Sequence, residues 1–158
     1  MSKPVKIGDR APAFSLPSES GDTVNIGDYI GKRPIVLFFY PKDNTVVCTK
    51  EACAFRDNYD EFRGIDDAEV FGISSDAVES HKRFSYGYKL PFKLLSDWNG
   101  AARTLYGVPK TLGILAGRVT YVIDGEGIVI QIISSQIGYK KHVVEAIEAL
   151  RRSGDNKK

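Results

Sequence analysis

The chain has 158 residues, of which 22 are Lys or Arg and 20 are Asp or Glu, so its formal net charge is +2. This length suits one domain with a single core, and 42% hydrophobic and 27% charged residues are ordinary values for a globular protein. The near balance of charge argues against a nucleic-acid groove and against a polybasic membrane anchor. We expect a single domain over residues 1–152 and a flexible C-terminal tail over 153–158.

The sequence also disfavours membrane insertion and secretion. The longest apolar run covers residues 35–40, whereas a spanning helix needs roughly 18 apolar residues. The N-terminus lacks the apolar segment of a secretory signal, and the two cysteines, Cys48 and Cys53, are too few for a disulfide-stapled scaffold. We therefore expect a reducing compartment, the cytoplasm, or a plastid if a transit peptide has been removed.

Hydrophobic periodicity and turn residues predict an α/β order of elements. In chain order these are short strands near 14–16 and 24–26, a strand at 35–40, a helix at 48–62, a strand at 69–75, a helix at 77–88, a short helix at 101–106, strands at 118–123 and 128–133, and a helix at 141–152. The order β-α-β-α, a hairpin and a last helix describes a central mixed sheet flanked by helices, as in thioredoxin-like folds.

Four segments carry most of that prediction. Residues 35–40 are continuously apolar between two prolines, which is typical of a strand buried on both faces. The turn Asp124-Gly125-Glu126-Gly127 predicts a hairpin. Residues 106–117 are expected to form a loop whose candidate apolar rim is Leu112, Ile114 and Leu115, and Trp98 is expected to pack against the core. A helical stripe at three- and four-residue steps is formed by Cys48, Ala52, Phe55, Tyr59 and Phe62.

The chemistry is concentrated between Tyr40 and Cys53, in the segment YPKDNTVVCTKEAC. If Thr45 is the N-cap of the helix, Cys48 takes the third helical position. Backbone N–H groups in the first turn lack intrahelical acceptors and favour an anion, and the thiolate is the reactive form of cysteine. Its position therefore marks Cys48 as the nucleophile of the two cysteines.

Cys53 lies five residues further along the same predicted helix. Helix geometry separates the two Cα atoms by about 8.7 Å, whereas a disulfide requires less than roughly 7 Å. The pair therefore bridges only if the first turns of the helix unwind. This spacing makes Cys53 a conditional partner, which becomes available after Cys48 is oxidised and its turn opens.

Other interpretations of these residues carry less weight. Two small buried hydrophobic cysteines are the ordinary alternative, but the arrangement Pro41-x3-Thr45-x2-Cys48 at a strand-to-helix junction favours reactivity. A zinc site that adds His81 and His142 would have poor ligand spacing. His81 lies on an apolar stripe and is interpreted as a satisfied core or edge histidine, and His142 is assigned no role.

These motifs resemble the peroxiredoxins. The arrangement Pro41-x3-Thr45-x2-Cys48 matches the peroxiredoxin active-site motif, and residues 49–57 (TKEACAFRD) resemble the peroxiredoxin Q group, also called bacterioferritin comigratory proteins. The resemblance extends over residues 5–150. Its further segments are Gly72-Ile73-Ser74-Ser75-Asp76, Ser80-His81-Lys82, Leu90-Pro91-Phe92, Leu94-Leu95-Ser96-Asp97 and Gly117-Arg118-x-Thr120-Tyr121-Val122-x-Asp124.

The resemblance implies a thiol peroxidase of the atypical 2-Cys type, acting on hydrogen peroxide and organic hydroperoxides with no cofactor or metal. Cys48 would become a sulfenic acid and Cys53 would resolve it as an intrachain disulfide, which thioredoxin or a similar dithiol would reduce. The resemblance also implies a monomer, and we expect neither nucleic-acid nor membrane partners.

Four further residues receive roles from the resemblance. The Thr45 hydroxyl would hold the peroxide, Pro41 would shield the site from water, Glu51 would orient Arg118, and Arg118 would stabilise the thiolate and the developing oxygen charge. Each has a plain alternative: a helix cap, a strand stop, a first-turn acid and a solvated strand-end charge, respectively.

One position departs from the peroxiredoxin Q pattern. Many members of the group carry Pro-Gly immediately before the peroxidatic cysteine, whereas this chain has Val46-Val47. β-Branched residues stiffen a backbone that glycine would loosen, so we expect a turn that opens less readily. Two rival functions on the same fold are a disulfide reductase, disfavoured because no Cys-x2-Cys occurs, and a non-catalytic partner-binding domain.

Overall fold

A computed structural model describes residues 4–111 and 115–156. Its elements in chain order are β1 (Ser15–Pro17), β2 (Thr23–Asn25), a 3-10 turn (Ile26–Asp28), β3 (Ile35–Phe39), α1 (Val46–Asp57), α2 (Tyr59–Arg63), β4 (Glu69–Ser74), α3 (Val78–Tyr88), β5 (Lys93–Ser96), α4 (Ala101–Tyr106), β6 (Lys110–Thr111), β7 (Leu115–Ala116), β8 (Val119–Ile123), β9 (Val129–Ser134) and α5 (Tyr139–Asn156).

The main sheet has five strands in the order β5-β4-β3-β8-β9. The strand β3 lies at its centre, parallel to β4 and antiparallel to β8. Strand β5 extends the parallel half and β9 extends the antiparallel half. The predicted mixed sheet flanked by helices is therefore confirmed.

Two apolar clusters cover the two faces of β3, whose five residues are all buried. Phe38 points to the face covered by α1, α3 and α5, where its ring stacks on that of Phe55 with centroids 4.4 Å apart. Phe39 points to the opposite face and contacts the rings of Tyr106 and Tyr121. The prediction of a strand buried on both faces is confirmed. This burial fixes the position of the end of β3, from which the loop to α1 begins.

The predicted helix over 48–62 is two helices in the structure. It begins at Val46, and it is interrupted at Asn58, whose Nδ2 donates to the carbonyl oxygen of Ala54 at 2.8 Å. An asparagine side chain competes in this way with the helical backbone hydrogen bonds. The interruption separates α2 from the helix that carries both cysteines.

Sequence patterns missed β5 and the short pair β6–β7. The segment of β5 has four residues, too few to show a period, and its regular conformation comes from pairing with β4. The pair β6–β7 lies within the predicted loop over 106–117. Of the candidate apolar rim, Leu112 and Ile114 lie outside the described residues, as does the side chain of Leu115.

The hairpin between β8 and β9 was predicted correctly. Asp124 Oδ1 accepts hydrogen bonds from the backbone N–H of Glu126 at 2.9 Å and of Ile128 at 3.0 Å. Gly127 has a φ of 89°, a left-handed conformation that costs glycine little. This turn returns the chain to β9 and then to α5.

Two expectations need correction. Trp98 is 70% exposed and does not pack in the core. The last helix continues four residues past its predicted end, because Ser153 to Asn156 remain helical, while residues 157–158 lie outside the described part. Among the described helices, none is both long enough and apolar enough to cross a membrane.

Candidate active site

The predicted nucleophile lies in the first turn of α1. Thr45 takes the N-cap position, and Cys48 is the third helical residue, 1% exposed. The N-cap position was predicted correctly, but the Thr45 hydroxyl does not cap the helix. It donates instead to the carbonyl oxygen of Lys42 at 2.9 Å, which holds the loop before the helix in a turn.

Arg118, the residue immediately before β8, reaches this sulfur. Its Nη2 donates to Cys48 Sγ at 3.1 Å, and its Nη1 donates to Glu51 Oε1 at 2.7 Å. Its Nε donates to the backbone oxygen of Gln136 at 2.8 Å, so all three guanidinium nitrogens have acceptors. The side chains of Arg118 and Glu51 are 3% and 0% exposed. A fixed, buried guanidinium beside a sulfur stabilises negative charge that develops there during a reaction.

The backbone before Arg118 has room only for a glycine. A Cβ on Gly117 would lie 2.1 Å from the carbonyl oxygen of Pro109. Arg103 joins the same region to the end of β3, because it donates to the carbonyl oxygens of Gly117 at 3.3 Å and Tyr40 at 3.4 Å. This packing positions Arg118 relative to the loop that leads to Cys48.

The sulfur opens onto a shallow cavity of about 400 Å³. Thr45, Cys48 and Arg118 are among the residues that line this cavity, and its rim is apolar. Two of the rim side chains are well exposed, Val46 at 71% and Ile137 at 79%. The remaining lining residues are Pro41, Val47 and Gln136. Five of the six predicted site residues, all but Cys53, are therefore brought to this cavity or into contact with Arg118.

Cys53 stays apart from this group in the described conformation. It is half-buried on α1 and lines a separate groove of about 490 Å³, bordered by α1 and α5. Burial raises the pKa of its thiol, an effect that Arg56 opposes and Asp57 reinforces. Because α1 is continuous from Val46 to Asp57, the two thiols are free and lie on different turns of one helix.

Comparison with known proteins decides the family. The AhpC/TSA family matches residues 7–132. The chain belongs to this family. It is 46% identical to the chloroplastic peroxiredoxin Q of Sedum lineare over 148 residues, covering 93% of this chain and 78% of that protein. The peroxidoxin BcpB of Mycobacterium tuberculosis superposes with a TM-score of 0.85 at 36% identity, covering 94% of this chain and 97% of that one.

A second solved structure agrees with the first. The bacterioferritin comigratory protein of Xanthomonas campestris superposes with a TM-score of 0.80 at 28% identity, covering 89% of this chain and 92% of that one. The predicted resemblance to peroxiredoxin Q and the thioredoxin-like fold are confirmed. This peroxiredoxin is an oxidoreductase, a thiol-dependent peroxidase.

His142 lies beneath the reaction centre of this peroxiredoxin, and sequence reasoning assigned it nothing. Its ring is fully buried, its Nε2 donates to the backbone oxygen of Ser135 at 2.9 Å, and its Nδ1 lies 2.7 Å from Thr120 Oγ1. Its Nδ1 also lies 3.6 Å from Glu51 Oε2. The available signal was Thr120, a polar residue inside the fully buried strand β8, because a buried hydroxyl implies a partner.

Burial acts on the two acid–base groups of this contact in opposite directions. It raises the pKa of Glu51 to about 7, although the guanidinium of Arg118 works against the shift. It lowers the pKa of His142 to about 4, an effect that the hydrogen bond to Ser135 opposes. Both groups are therefore pushed towards their uncharged forms.

His81 is the satisfied buried histidine that the sequence predicted. Its Nε2 donates to the backbone oxygen of Leu95 at 3.0 Å, and its Nδ1 lies 2.7 Å from Asp43 Oδ2. Asp43, Asp76 and His81 present possible ligand atoms within 4.8 Å of one another, a group that includes neither cysteine. The zinc site considered for Cys48, Cys53, His81 and His142 is therefore not assembled in the described structure.

Asp43 pins the loop that leads from β3 to α1. Its carboxylate accepts from the Tyr40 hydroxyl at 2.6 Å and from the Ser80 hydroxyl at 2.8 Å, besides its contact with His81. Its backbone N–H donates to Asp76 Oδ2 at 2.8 Å. The active-site loop is thereby tied to α3 immediately before Thr45, a role for Asp43 that the sequence pattern did not reveal.

Proposed function

We propose that this peroxiredoxin reduces hydrogen peroxide and organic hydroperoxides through a Cys48 sulfenic acid and an intrachain disulfide with Cys53. The observation that carries the proposal is the 3.1 Å contact between Arg118 Nη2 and the buried sulfur of Cys48. The guanidinium stabilises the reacting thiolate and the negative charge that develops on the peroxide oxygens. Helix N–H groups of the first turn act in the same direction.

In the first step, the Cys48 thiolate attacks the terminal oxygen of ROOH. A sulfur–oxygen bond forms, the oxygen–oxygen bond breaks, and RO⁻ leaves and takes up a proton, so that sulfenic acid and ROH result. Thr45 and Pro41 both line the cavity; the Thr45 hydroxyl orients the peroxide, and Pro41 limits the access of water. Glu51 holds Arg118 in place through its 2.7 Å hydrogen bond.

The apolar rim supports organic hydroperoxides as a substrate class. Val46, Val47 and Ile137 border the cavity above the sulfur, and burial of methylene groups against such side chains contributes to binding. The Xanthomonas campestris relative is described by its alkyl peroxide reduction activity. We propose the same substrate class for this chain, alongside hydrogen peroxide.

In the second step, the Cys53 thiol attacks the Cys48 sulfenic acid. A disulfide forms and the oxygen leaves as water, with the thiol proton completing that water molecule. Two helical positions five residues apart hold their Cα atoms about 8.7 Å apart, which exceeds the reach of a disulfide. The first turns of α1 therefore unwind before the bond forms.

The disulfide is returned to two thiols by an external dithiol. We propose thioredoxin or a similar protein, which approaches at the groove beside the half-buried Cys53. We further propose that the chain acts as a monomer in a reducing compartment, the cytoplasm or a plastid. The names of the plant relatives place those proteins in chloroplasts.

A peroxide titration of the reduced protein, followed by intact mass, tests the cycle. The wild type should lose two hydrogens per chain, and Cys53→Ser should instead gain one oxygen on Cys48. Cys48→Ser should leave the chain unmodified and abolish turnover. Full thioredoxin-dependent turnover of Cys53→Ser would refute the resolving role, and an inert wild type would refute the whole proposal.

A further inference from the structure

Where Glu51 faces His142, one buried carboxylate oxygen has no role in the proposed catalytic cycle. Glu51 Oε1 accepts from Arg118, but Oε2 makes no hydrogen bond to the residues that the structure describes. This oxygen faces His142 Nδ1 at 3.6 Å, and both side chains are fully buried. An ionised carboxylate with one buried oxygen unpaired is costly. This cost bears on whether Glu51 and His142 are charged or neutral.

The hydrogen-bond partners of His142 fix its tautomer. A backbone carbonyl only accepts, so Nε2, which lies 2.9 Å from the oxygen of Ser135, carries a proton. In the neutral ring Nδ1 is then unprotonated, and it accepts from the Thr120 hydroxyl at 2.7 Å. Nδ1 therefore offers no donor to the free oxygen of Glu51, which lies 3.6 Å away, so a protonated carboxyl avoids an unpaired buried charge there.

Burial, more than the nearby charges, sets the protonation of the two groups. It lowers the pKa of His142 to about 4, an effect that Arg118 and Lys141 reinforce and the hydrogen bond to Ser135 opposes. It raises the pKa of Glu51 to about 7, although the charge of Arg118 and its hydrogen bond act in the opposite direction. The other groups around the pair are Cys48 on α1, the Thr120 hydroxyl on β8 and the carbonyl of Ser135. The proton therefore belongs on Glu51.

We propose that Glu51, held beside neutral His142, stores a proton while Cys48 is a thiolate and releases it when the thiolate is oxidised. With Glu51 protonated, the charge of Arg118 is not cancelled and stabilises the thiolate. When Cys48 becomes an uncharged sulfenic acid, the buried cation is left without an anion, and ionisation of Glu51 restores neutrality. His142 is thus a positioning residue that acts through Glu51. This inference rests on the proposed function.

The proton balance of the first step makes the proposal measurable. If Glu51 stores no proton, Cys48–S⁻ + H₂O₂ + H⁺ gives Cys48–SOH + H₂O, so one proton is taken from solvent for each thiolate lost. With a stored proton, Glu51 releases the proton that the step consumes, and the uptake from solvent falls below one. No other reactant is needed in either case.

The test uses full-length Cys53→Ser protein, in which the reaction stops at the sulfenic acid. Reduced protein in weakly buffered solution at pH 7.5, above the pKa of about 7 that burial gives Glu51, receives one equivalent of hydrogen peroxide. A pH indicator measures proton uptake, ultraviolet absorbance measures thiolate lost, and intact mass counts the sulfenic acid. We expect clearly less than one proton per thiolate lost in this protein, and one proton in Cys53→Ser/Glu51→Gln, whose amide stores none.

His142 is tested by a double-mutant comparison. A glutamine amide can donate to Glu51 Oε2, so His142→Gln should favour ionised Glu51 and return the uptake towards one proton. In the Glu51→Gln background the same substitution should have no effect. Glu148→Gln, which removes an exposed carboxylate from α5, is the matched control and should leave the uptake unchanged. Nitrogen NMR of His142 in protein that retains both His142 and Glu51 does not depend on whether a variant folds. It should show a neutral ring with the proton on Nε2 at pH 6.5.

The outcomes separate this inference from the function on which it rests. An uptake of one proton per thiolate in both Cys53→Ser and Cys53→Ser/Glu51→Gln would overturn the stored proton, as would a protonated His142 ring at pH 6.5. A loss of activity in His142→Gln that persists in the Glu51→Gln background would assign His142 a packing role instead. Failure to form a sulfenic acid on Cys48 would overturn the proposed function itself.

Discussion

Arg118 and Cys48 are 70 positions apart in the chain, and the guanidinium of one lies 3.1 Å from the sulfur of the other. The same guanidinium contacts Glu51 at 2.7 Å, so its two terminal nitrogens serve two partners at once. Lysine carries a single ammonium on a flexible stem and lacks this fork. The contact is therefore specific to arginine, and it ties the sheet to the first turn of α1.

Arg118→Lys tests that contact. Loss of one fixed donor at a developing charge typically costs about 100- to 1000-fold in rate, and we expect a decrease of this order in kcat/KM for peroxide. Alkylation of Cys48 by iodoacetamide should also slow, because the fixed donor that stabilises the reacting sulfur is lost. Arg83→Lys changes an exposed arginine of α3 and should leave both rates unaltered. Equal rates for the two variants would contradict the assignment.

Gly117→Ala tests the close approach that positions Arg118. Its Cβ would lie 2.1 Å from the Pro109 oxygen, so the backbone must shift. We expect a loss of about 1–3 kcal/mol in the free energy of unfolding, together with a lower kcat/KM. Gly87→Ala is the control: a Cβ there meets nothing within 4 Å, and alanine in a helix is favoured over glycine by about 0.5–1 kcal/mol. A Gly117→Ala variant with unchanged stability and activity would refute the packing argument.

Val46→Pro/Val47→Gly tests the opening of α1. Proline is tolerated at the first helical position, and glycine at the second makes the turn easier to unwind. After one equivalent of peroxide, the disulfide should form faster than in the wild type. With excess peroxide, the yield of sulfinic acid should fall, since the sulfenic acid waits for a shorter time. Unchanged values of both quantities would show that these valines do not limit opening; Val144→Ala on α5 is the control.

Asp43→Asn tests the anchor of the active-site loop. The carboxylate accepts from the Tyr40 hydroxyl on one oxygen and from the Ser80 hydroxyl on the other, whereas the amide has only one acceptor oxygen. We expect a loss of about 1–3 kcal/mol in urea unfolding, as for an unsatisfied buried polar group. Hydrogen exchange in the first turn of α1 should accelerate. Asp66→Asn, an exposed change, serves as the control, and equal exchange in the two variants would argue against the anchor.

The pH dependence of stability should carry opposite contributions from Glu51 and His142. The pKa of Glu51 is raised from 4.5 to about 7 on folding, so its contribution is full below pH 4.5 and is lost as the pH rises to 7. The pKa of His142 is lowered from 6.5 to about 4, so its contribution is full above pH 6.5 and is lost as the pH falls to 4. Between about pH 4.5 and 6.5 the two slopes oppose each other.

Urea unfolding at a series of pH values separates these two contributions. Relative to the wild type, Glu51→Gln should gain stability as the pH rises from 4.5 to 7, because the destabilising ionisation is removed. His142→Gln should change in the opposite sense over pH 4 to 6.5. Glu148→Gln should follow the wild type throughout. Parallel curves for all four proteins would contradict the shifted pKa values.

Sequence patterns correctly located the elements whose conformation is set by residues close together in the chain. The position of Cys48 in the first helical turn follows from Thr45 and the three residues after it. The burial of β3 follows from six apolar residues between two prolines, and the hairpin follows from Asp124 and Gly127. Strand β5 was missed because its four residues acquire their conformation by pairing with β4.

The amino-acid sequence by itself determined that Cys48 lies in the first turn of the helix. It also determined that Cys53, five residues further on, cannot form a disulfide with Cys48 unless the helix unwinds. Those properties follow from the rise and turn of one helix. Only the tertiary structure decided that Arg118 meets the sulfur, that Glu51 faces His142, and that Asp43 meets His81. Each of these contacts joins segments brought together by sheet pairing and helix packing, and the burial that shifts the pKa values of Glu51 and His142 exists only after the core has closed around them.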